Sequence, residues 1–310
     1  MKKILAAAII MFASLSASAQ VYVSASSGYS FKAVESKMGT KTTLSGVENT
    51  YGSYGEGTHT QLRAGYFFND KWGIEAAAGY LHGADQTAML VEVPGQPYVD
   101  VKARGRAFGL SLSTVYNITE HFYGRAGVLT KIGGKTEVVG NIKTALPTAL
   151  LNPLAPAGAT TPLEIDFTRD FKGKFPLGFI GAIGYKHEIL KNLSVFAEAE
   201  YLGISVTRNT SEIGDFSANL GAQSPTREQL LATVKGIITN PRLKDNKDVQ
   251  KLASLLPLIN DKISYEDSLT LVENAQAQQN PLATKQLSQT VPYSSWGFNF
   301  GFTYTFNKRK

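Results

Sequence analysis

From Trp296 to Phe306 the chain places an aromatic residue at every even position, and Gly, Asn or Thr at every odd position between them. A β-strand sends successive side chains to opposite faces, so this run has one aromatic face and one small, polar face. The same two-residue period recurs upstream. Val21 to Phe31 sets Val21, Val23, Ala25, Ser27, Tyr29 and Phe31 against Tyr22, Ser24, Ser26, Gly28 and Ser30. Leu62, Ala64, Tyr66 and Phe68 oppose His59, Gln61, Arg63 and Gly65; Trp72, Ile74, Ala76, Ala78 and Tyr80 oppose Gly73, Glu75, Ala77 and Gly79. Further strands are predicted over 101–116, from Phe122 to Ile132, over 173–187 and from Leu193 to Tyr201. Arg104 and Arg106 fall in phase with the apolar residues of their strand, so they either lie above the apolar band or are turned inward by a bulge.

The connections alternate between short turns (Asn69-Asp70, 117–120 and 188–192) and long loops at about 35–56, 84–100, 134–171 and 208–291. Aromatics gather near the short turns: Tyr66, Phe68, Trp72, Tyr116, Phe122, Tyr185 and, less closely, Tyr201. Large apolar side chains outside, small and polar ones inside, and loops long on one side only describe a membrane barrel. The expected fold is all-β: an eight-stranded antiparallel up-and-down transmembrane β-barrel with a helical insertion in the last long loop. A soluble β-sandwich or lipocalin-like barrel would have to turn all these aromatic faces inward.

Met1-Lys2-Lys3, an apolar run from Ile4 to Leu15 and Ala17-Ser18-Ala19 read as a secretory signal peptide over 1–19, with the barrel occupying 20–310. No later stretch approaches the length of a spanning helix. The chain has no Cys, so no disulfide framework and no thiolate chemistry is expected. Its net charge of +6 falls to about +4 without Lys2 and Lys3, too little to point to nucleic acid.

These features resemble the outer-membrane protein beta-barrel family, which includes the OmpA transmembrane domain and OmpX-like eight-stranded barrels. The terminal strand, with Trp296, Phe298, Phe300, Phe302, Tyr304 and Phe306, is similar to the assembly signal of that family. The resemblance implies insertion by the barrel assembly machinery into outer-membrane lipid of a bacterial cell. Four residues, Asn307-Lys308-Arg309-Lys310, follow the last aromatic, a departure from the pattern. The tail is too short for a peptidoglycan-binding domain, so tethering of the OmpA kind is not implied.

An eight-stranded barrel is filled by its own side chains. The inward positions would collect Arg63, Glu75, Arg125, Glu198 and Glu200, with Tyr22, Gln61, Tyr123 and Asn299. Buried charges need partners, so an Arg–Glu network plugging the lumen is expected. Arg63 would meet Glu75 across the hairpin, and Glu198 and Glu200 would answer Arg125.

In loop 208–291, Ser224-Pro225 reads as the start of a helix carrying Leu230, Leu231, Val234, Ile237 and Ile238, stopped at Asn240-Pro241. A second helix carries Val249, Leu252, Leu255, Leu256 and Ile259, with Pro257 kinking or ending it, and Ser264 starts a third. Their apolar stripes either pack together as a cap, with Leu146, Leu150, Leu151 and Leu154 of the third loop as a further surface, or receive an extracellular protein or surface ligand.

No catalytic chemistry is legible. His59, His82, His121 and His187 lie in separate segments with no metal spacing, and Asp245-Asn246-Lys247-Asp248 lacks the Gly and Glu of a calcium loop. His82 and Asp85 sit close together without an assignable nucleophile. No cofactor and no enzyme activity is expected. The expected function is that of a non-enzymatic outer-membrane barrel, structural or surface-interacting. The alternative is a small-solute, porin-like channel with a gated lumen.

Overall fold

The computed structural model describes residues 20–241, 243, 246–280 and 283–306. The expected signal peptide, Asp245 and the tail after Phe306 lie outside the described residues. In chain order the strands are β1 (Gln20–Lys32), β2 (Ser36–Thr43), β3 (Gly46–Gly52), β4 (Gly57–Phe67), β5 (Trp72–Gly83) and β6 (Gln86–Glu92). Then come β7 (Tyr98–Asn117), β8 (Phe122–Pro147), β9 (Thr160–Gly173), β10 (Leu177–Leu190), β11 (Leu193–Gly203) and β12 (Ser205–Leu220). Helices α1 (Arg227–Ile238) and α2 (Lys247–Ile259), strand β13 (Ile263–Glu266) and helix α3 (Leu271–Gln279) follow. Two short strands, β14 (Lys285–Leu287) and β15 (Thr290–Pro292), precede β16 (Ser295–Thr305).

Eight strands close a ring in the order β1, β4, β5, β7, β8, β10, β11 and β16, within a larger 16-stranded sheet. β16 closes it, pairing with β1 on one side and β11 on the other. A closed ring leaves no unpaired strand edge along its wall. Its outer face is the apolar one: Leu62 is 68% exposed, Phe300 67% and Phe179 57%. Asn299, next to Phe300, is fully buried in the lumen. Tight turns join the ring at one end. At the first, Asn69 Oδ1 accepts from the N–H groups of Lys71 (2.9 Å) and Trp72 (2.7 Å), and at the third Asn192 adopts a positive φ of 71°.

The expectation of eight strands separated by long loops is corrected at the other end of the ring. β7 and β8 run on past it, and the segments read as loops fold into strands against them: β9 and β12 on one side, β6, β2 and β3 on the other. The extension is not uniformly antiparallel, since β2 pairs with β6 and β13 with β14 in parallel. The reason lies in the alternation of 136–146. Val138, Ile142 and Leu146 turn one way, while Glu137, Asn141 and Lys143 turn the other, as in a half-buried soluble sheet. A bulge where Phe108 opposes Gly133 and Gly109 opposes Lys131 leaves Ile132 as an extra residue of β8. It reverses the phase of β8, so odd positions face the lumen below it and even positions face the core above it. Arg104 is not turned inward. It stays on the outer face above the ring, with Nε 2.7 Å from Glu137 Oε2.

The upper sheet and α1 and α2 form a folded head. Val99, Ile142, Ile165 and Ala218 are register partners in one row across β7, β8, β9 and β12. Leu230 and Val234 of α1, with Leu252, Leu255, Leu256 and Ile259 of α2, are buried in the same cluster. Of the third-loop leucines, Leu146 is buried and Leu150 and Leu151 pack against the cluster, whereas Leu154 is 92% exposed. The start of α1 differs from expectation: Thr226, not Ser224, is the N-cap, its hydroxyl accepting from Gln229 N–H while Gln229 caps back. Ser264 lies in strand β13 rather than opening a helix, because Ile263 and Tyr265 alternate inward; α3 starts at Leu271. Pro257 is accommodated inside α2, near its end.

Arg169 ties the head together. It is buried, and its guanidinium donates to Ser211 Oγ (3.0 Å) and to the carbonyls of Asp261 (3.3 Å) and Asn260. Burial lowers its pKa.

Candidate functional site: the lumen network

The inward rows of the ring bring Arg63, Glu75, Arg125, Glu198 and Glu200 together; all are buried, Glu200 to within 1%. Arg63 meets Glu198 end-on, with Nη1–Oε2 3.1 Å and Nη2–Oε1 2.9 Å. Arg125 meets the same carboxylate from the other side, with Nε–Oε2 3.1 Å and Nη2–Oε1 2.9 Å. Its Nη2 also contacts Glu200, and its Nη1 lies 3.5 Å from Glu75. Gln61 fills the remaining gap, accepting from Arg63 Nε at 3.0 Å and donating to Glu200 at 2.9 Å. Asn299 Nδ2 lies 3.4 Å from Glu198. Two guanidinium groups thus face three carboxylates at the centre of the barrel, and two-pronged pairing of this kind is the geometry that offsets desolvation best.

One expected pairing differs. Arg63 does not bind Glu75. Their strands place Arg63 opposite Ala77 and Gly65 opposite Glu75, so the two side chains are diagonal, and the guanidinium extends across the lumen to Glu198 instead. Glu75 is served by Tyr22, whose hydroxyl donates to it at 2.9 Å. Tyr22, Gly65 and Glu75 are register partners on three adjacent strands. A Cβ on Gly65 would fall 2.2 Å from the Tyr22 ring, so the glycine is what lets the ring lie across the middle strand. Tyr123, Gly184 and Glu198 repeat the arrangement on β8, β10 and β11.

Two parts of the lumen carry no clear sequence signal. Toward the head, Tyr54 and Tyr293 stack at 5.6 Å, and Tyr293 Oη lies 2.6 Å from Thr136 Oγ1. Ser53 Oγ donates to the carbonyls of Pro292 and Ser294, 3.3 Å from each. Both segments sit in connections too irregular for periodicity to place. Gly55 is a visible trace of them: a Cβ there would lie 2.0 Å from Tyr293 O. Between this lid and the network is a cavity of about 110 Å³. Toward the turns, a polar vestibule of about 480 Å³ is lined by residues including Glu120, His121, Lys186 and Glu188.

On the outer wall, the six aromatics from Trp296 to Phe306 are all exposed. Trp72–Tyr116 (4.6 Å) and Phe122–Tyr185 (5.2 Å) form a belt at the turn end. Tyr80–Phe108 (4.7 Å) and Tyr201–Trp296 (4.7 Å) form one at the head end, where Tyr201 belongs. From Trp72 to Tyr80 the strand rises about 26 Å, or about 20 Å along the axis at a ~40° tilt, close to the apolar band of an outer-membrane barrel. Asp85 pairs with Arg104 (3.3 Å), and no group able to hold a metal ion occurs among the described residues.

No curated protein of known function matches the sequence. Among solved structures, the chain is similar to a major outer membrane protein from Thermus thermophilus, with 12% identity, TM-score 0.36, and 94% of this chain and 100% of that one covered. It is also similar to Acinetobacter baumannii CarO, with 11% identity, TM-score 0.25, and coverage of 91% and 97%. A Pseudomonas aeruginosa FadL homologue gives 9% identity, TM-score 0.21, and coverage of 93% and 90%. The family model of the outer membrane protein beta-barrel domain matches residues 4–223, from the N-terminal region through the whole of β12. The chain belongs to the outer membrane protein beta-barrel family.

Proposed function

We propose that this protein is a closed, non-enzymatic outer-membrane barrel that carries a folded extracellular head. In this reading the ring is an eight-stranded, antiparallel, up-and-down transmembrane barrel. The tight turns are periplasmic, and β16 is the strand read by the barrel assembly machinery. The observation that carries the reading is the lumen network: two arginines and three glutamates, mutually paired, fill the cross-section where a channel would need water. The apolar stripes of α1 and α2 are used within the head, so any surface recognition falls to its exposed parts, such as Leu154 and the start of α3 at Leu271. Liposome swelling tests the reading. Vesicles holding the intact protein should stay impermeable to small sugars, whereas Glu198→Ala, which removes the carboxylate shared by both arginines, should leak.

A second reading, a gated small-solute channel, is favoured by one feature. Cavities lie on both sides of the network, so that layer and the tyrosine lid are what separate the two ends of the lumen. Permeation by the intact protein would select this reading.

A further inference from the structure

Three features distinguish the cavity between the network and the lid from an ordinary packing gap. Its β5/β7 wall is cut back to the register pairs Ala77–Ser111 and Gly79–Gly109. A Cβ on Gly109 would find only Thr130 O, at an ordinary 3.5 Å, so backbone crowding does not demand glycine there. Space is left open that a side chain could fill. Second, Lys131 lines the cavity with its ammonium 5.7 Å from the centre of the Tyr293 ring, and no carboxylate pairs with it among the described residues. Third, His59 also lines it and is 94% buried, being 6% exposed. Its Nδ1 is hydrogen-bonded to Ser30 Oγ at 2.9 Å, while Nε2 faces the network, 3.9 Å from Glu200 and beside Asn299.

We propose that this cavity binds a small amphipathic carboxylate, with its acid group on Lys131 and its hydrocarbon part along Ala77, Gly79 and Gly109. The inference rests on the lumen being closed as described above. The network below holds three carboxylates against two arginines, so its excess of negative charge turns an anion away from the floor and toward Lys131. A cation and an anion meeting against mostly apolar walls attract more strongly than they do in open water. An apolar cavity of ~150 Å³ accommodates the six carbons of benzene, so a space of about 110 Å³ suits a hydrocarbon part of roughly three carbons, with the carboxylate on Lys131.

The test uses the full mature chain in phosphatidylcholine nanodiscs, labelled with ¹³C at the alanine methyls and titrated with butyrate and, separately, with 1-butanol. The Ala77 and Ala107 resonances should shift saturably with butyrate and about tenfold more weakly with the alcohol, the loss of one good ionic contact. Lys131→Met should weaken butyrate binding to a similar degree, and Gly109→Val should abolish it by filling the space. Variants are compared only if they keep the boiling-dependent gel shift of the intact barrel; Lys131→Gln replaces Lys131→Met if that fails. Shifts that never saturate, equal affinity for the alcohol, or unchanged binding in the Lys131 variant each overturn the proposal. Bilayer conductance separates the two claims. A conducting barrel that binds butyrate keeps the site and rejects the closed lumen, and a silent barrel that does not bind rejects only the site.

Discussion

Tyr123 reaches Glu198 from two strands away, its hydroxyl 3.0 Å from Oε2, by laying its ring over Gly184 of the strand between them. A Cβ on Gly184 would lie 2.3 Å from the ring. Gly184→Ala should therefore push the phenol off the carboxylate and cost about 1–3 kcal/mol, the usual cost of overpacking. Urea unfolding of the vesicle-inserted protein measures it. Tyr123→Ser in the same chain should recover part of the loss, whereas a Gly184→Ala protein as stable as the parent would contradict the crossing geometry.

Arg125 contacts all three carboxylates of the lumen. Arg125→Met leaves them with Arg63 alone and should destabilise the barrel by about 3–5 kcal/mol, as expected when one partner of a buried ion pair is removed. Arg63→Met should cost less, because Glu198 keeps its two-pronged contact with Arg125. The same unfolding assay ranks the two, and the reverse order would show that the charges are not shared as described.

Much of the ring was legible because a barrel wall repeats one rule: large outside, small or polar inside. Partner choice within the lumen was not. Alternation shows that Arg63 and Glu75 point inward, but not that register sets them diagonally while Glu198 waits opposite. Glycine at 65 and 184 looks like a gap in the pattern until the tyrosine crossing it is seen. The head was hidden for a related reason. The residues from Thr136 to Leu146 alternate as well as any ring strand, but their apolar side faces a helical core, and Gly133-Gly134 before them reads as the end of a strand. Helix content was visible as apolar spacing, while the choice of Thr226 as cap depended on Gln229 reaching back.

Leu256 is buried in the helical core of the head and lies outside the ring. Leu256→Ala should cost about 2–5 kcal/mol, expressed as local opening of α1 and α2. Limited proteolysis should cut within 227–259 while the ring keeps its boiling-dependent gel shift. Loss of that shift together with the head would mean the two are not separable.

The α3 cap is sensitive to acid. Hydrogen bonds from Lys285 and from the Thr270 backbone and hydroxyl hold the Glu273 carboxylate at a pKa of about 2. That is below the unfolded value, so its contribution is fully present above about pH 4.5 and fades as pH falls toward 2. Protection factors at 271–274, the exchange rates referred to the intrinsic rate at each pH, should fall in that window, more than in Glu273→Gln, which has no such titration. Protection that stays flat from pH 5 to about pH 2.5 would remove the cap from the account.

Phe300 stands mid-strand on the outer wall, between Ser27 of β1 and Ala197 of β11. Phe300→Arg should cost about 2–4 kcal/mol in lipid, as a cation does near the middle of a barrel wall. Folding yield into phosphatidylcholine vesicles reports it, and an unaffected yield would mean this face does not meet hydrocarbon.

The central claim is that paired charges close the lumen, and single-channel recording in a planar bilayer tests it most directly. The intact protein should give no steady openings, while Arg125→Met or Glu198→Ala should admit ions. Steady, large openings from the intact protein would contradict the closed barrel.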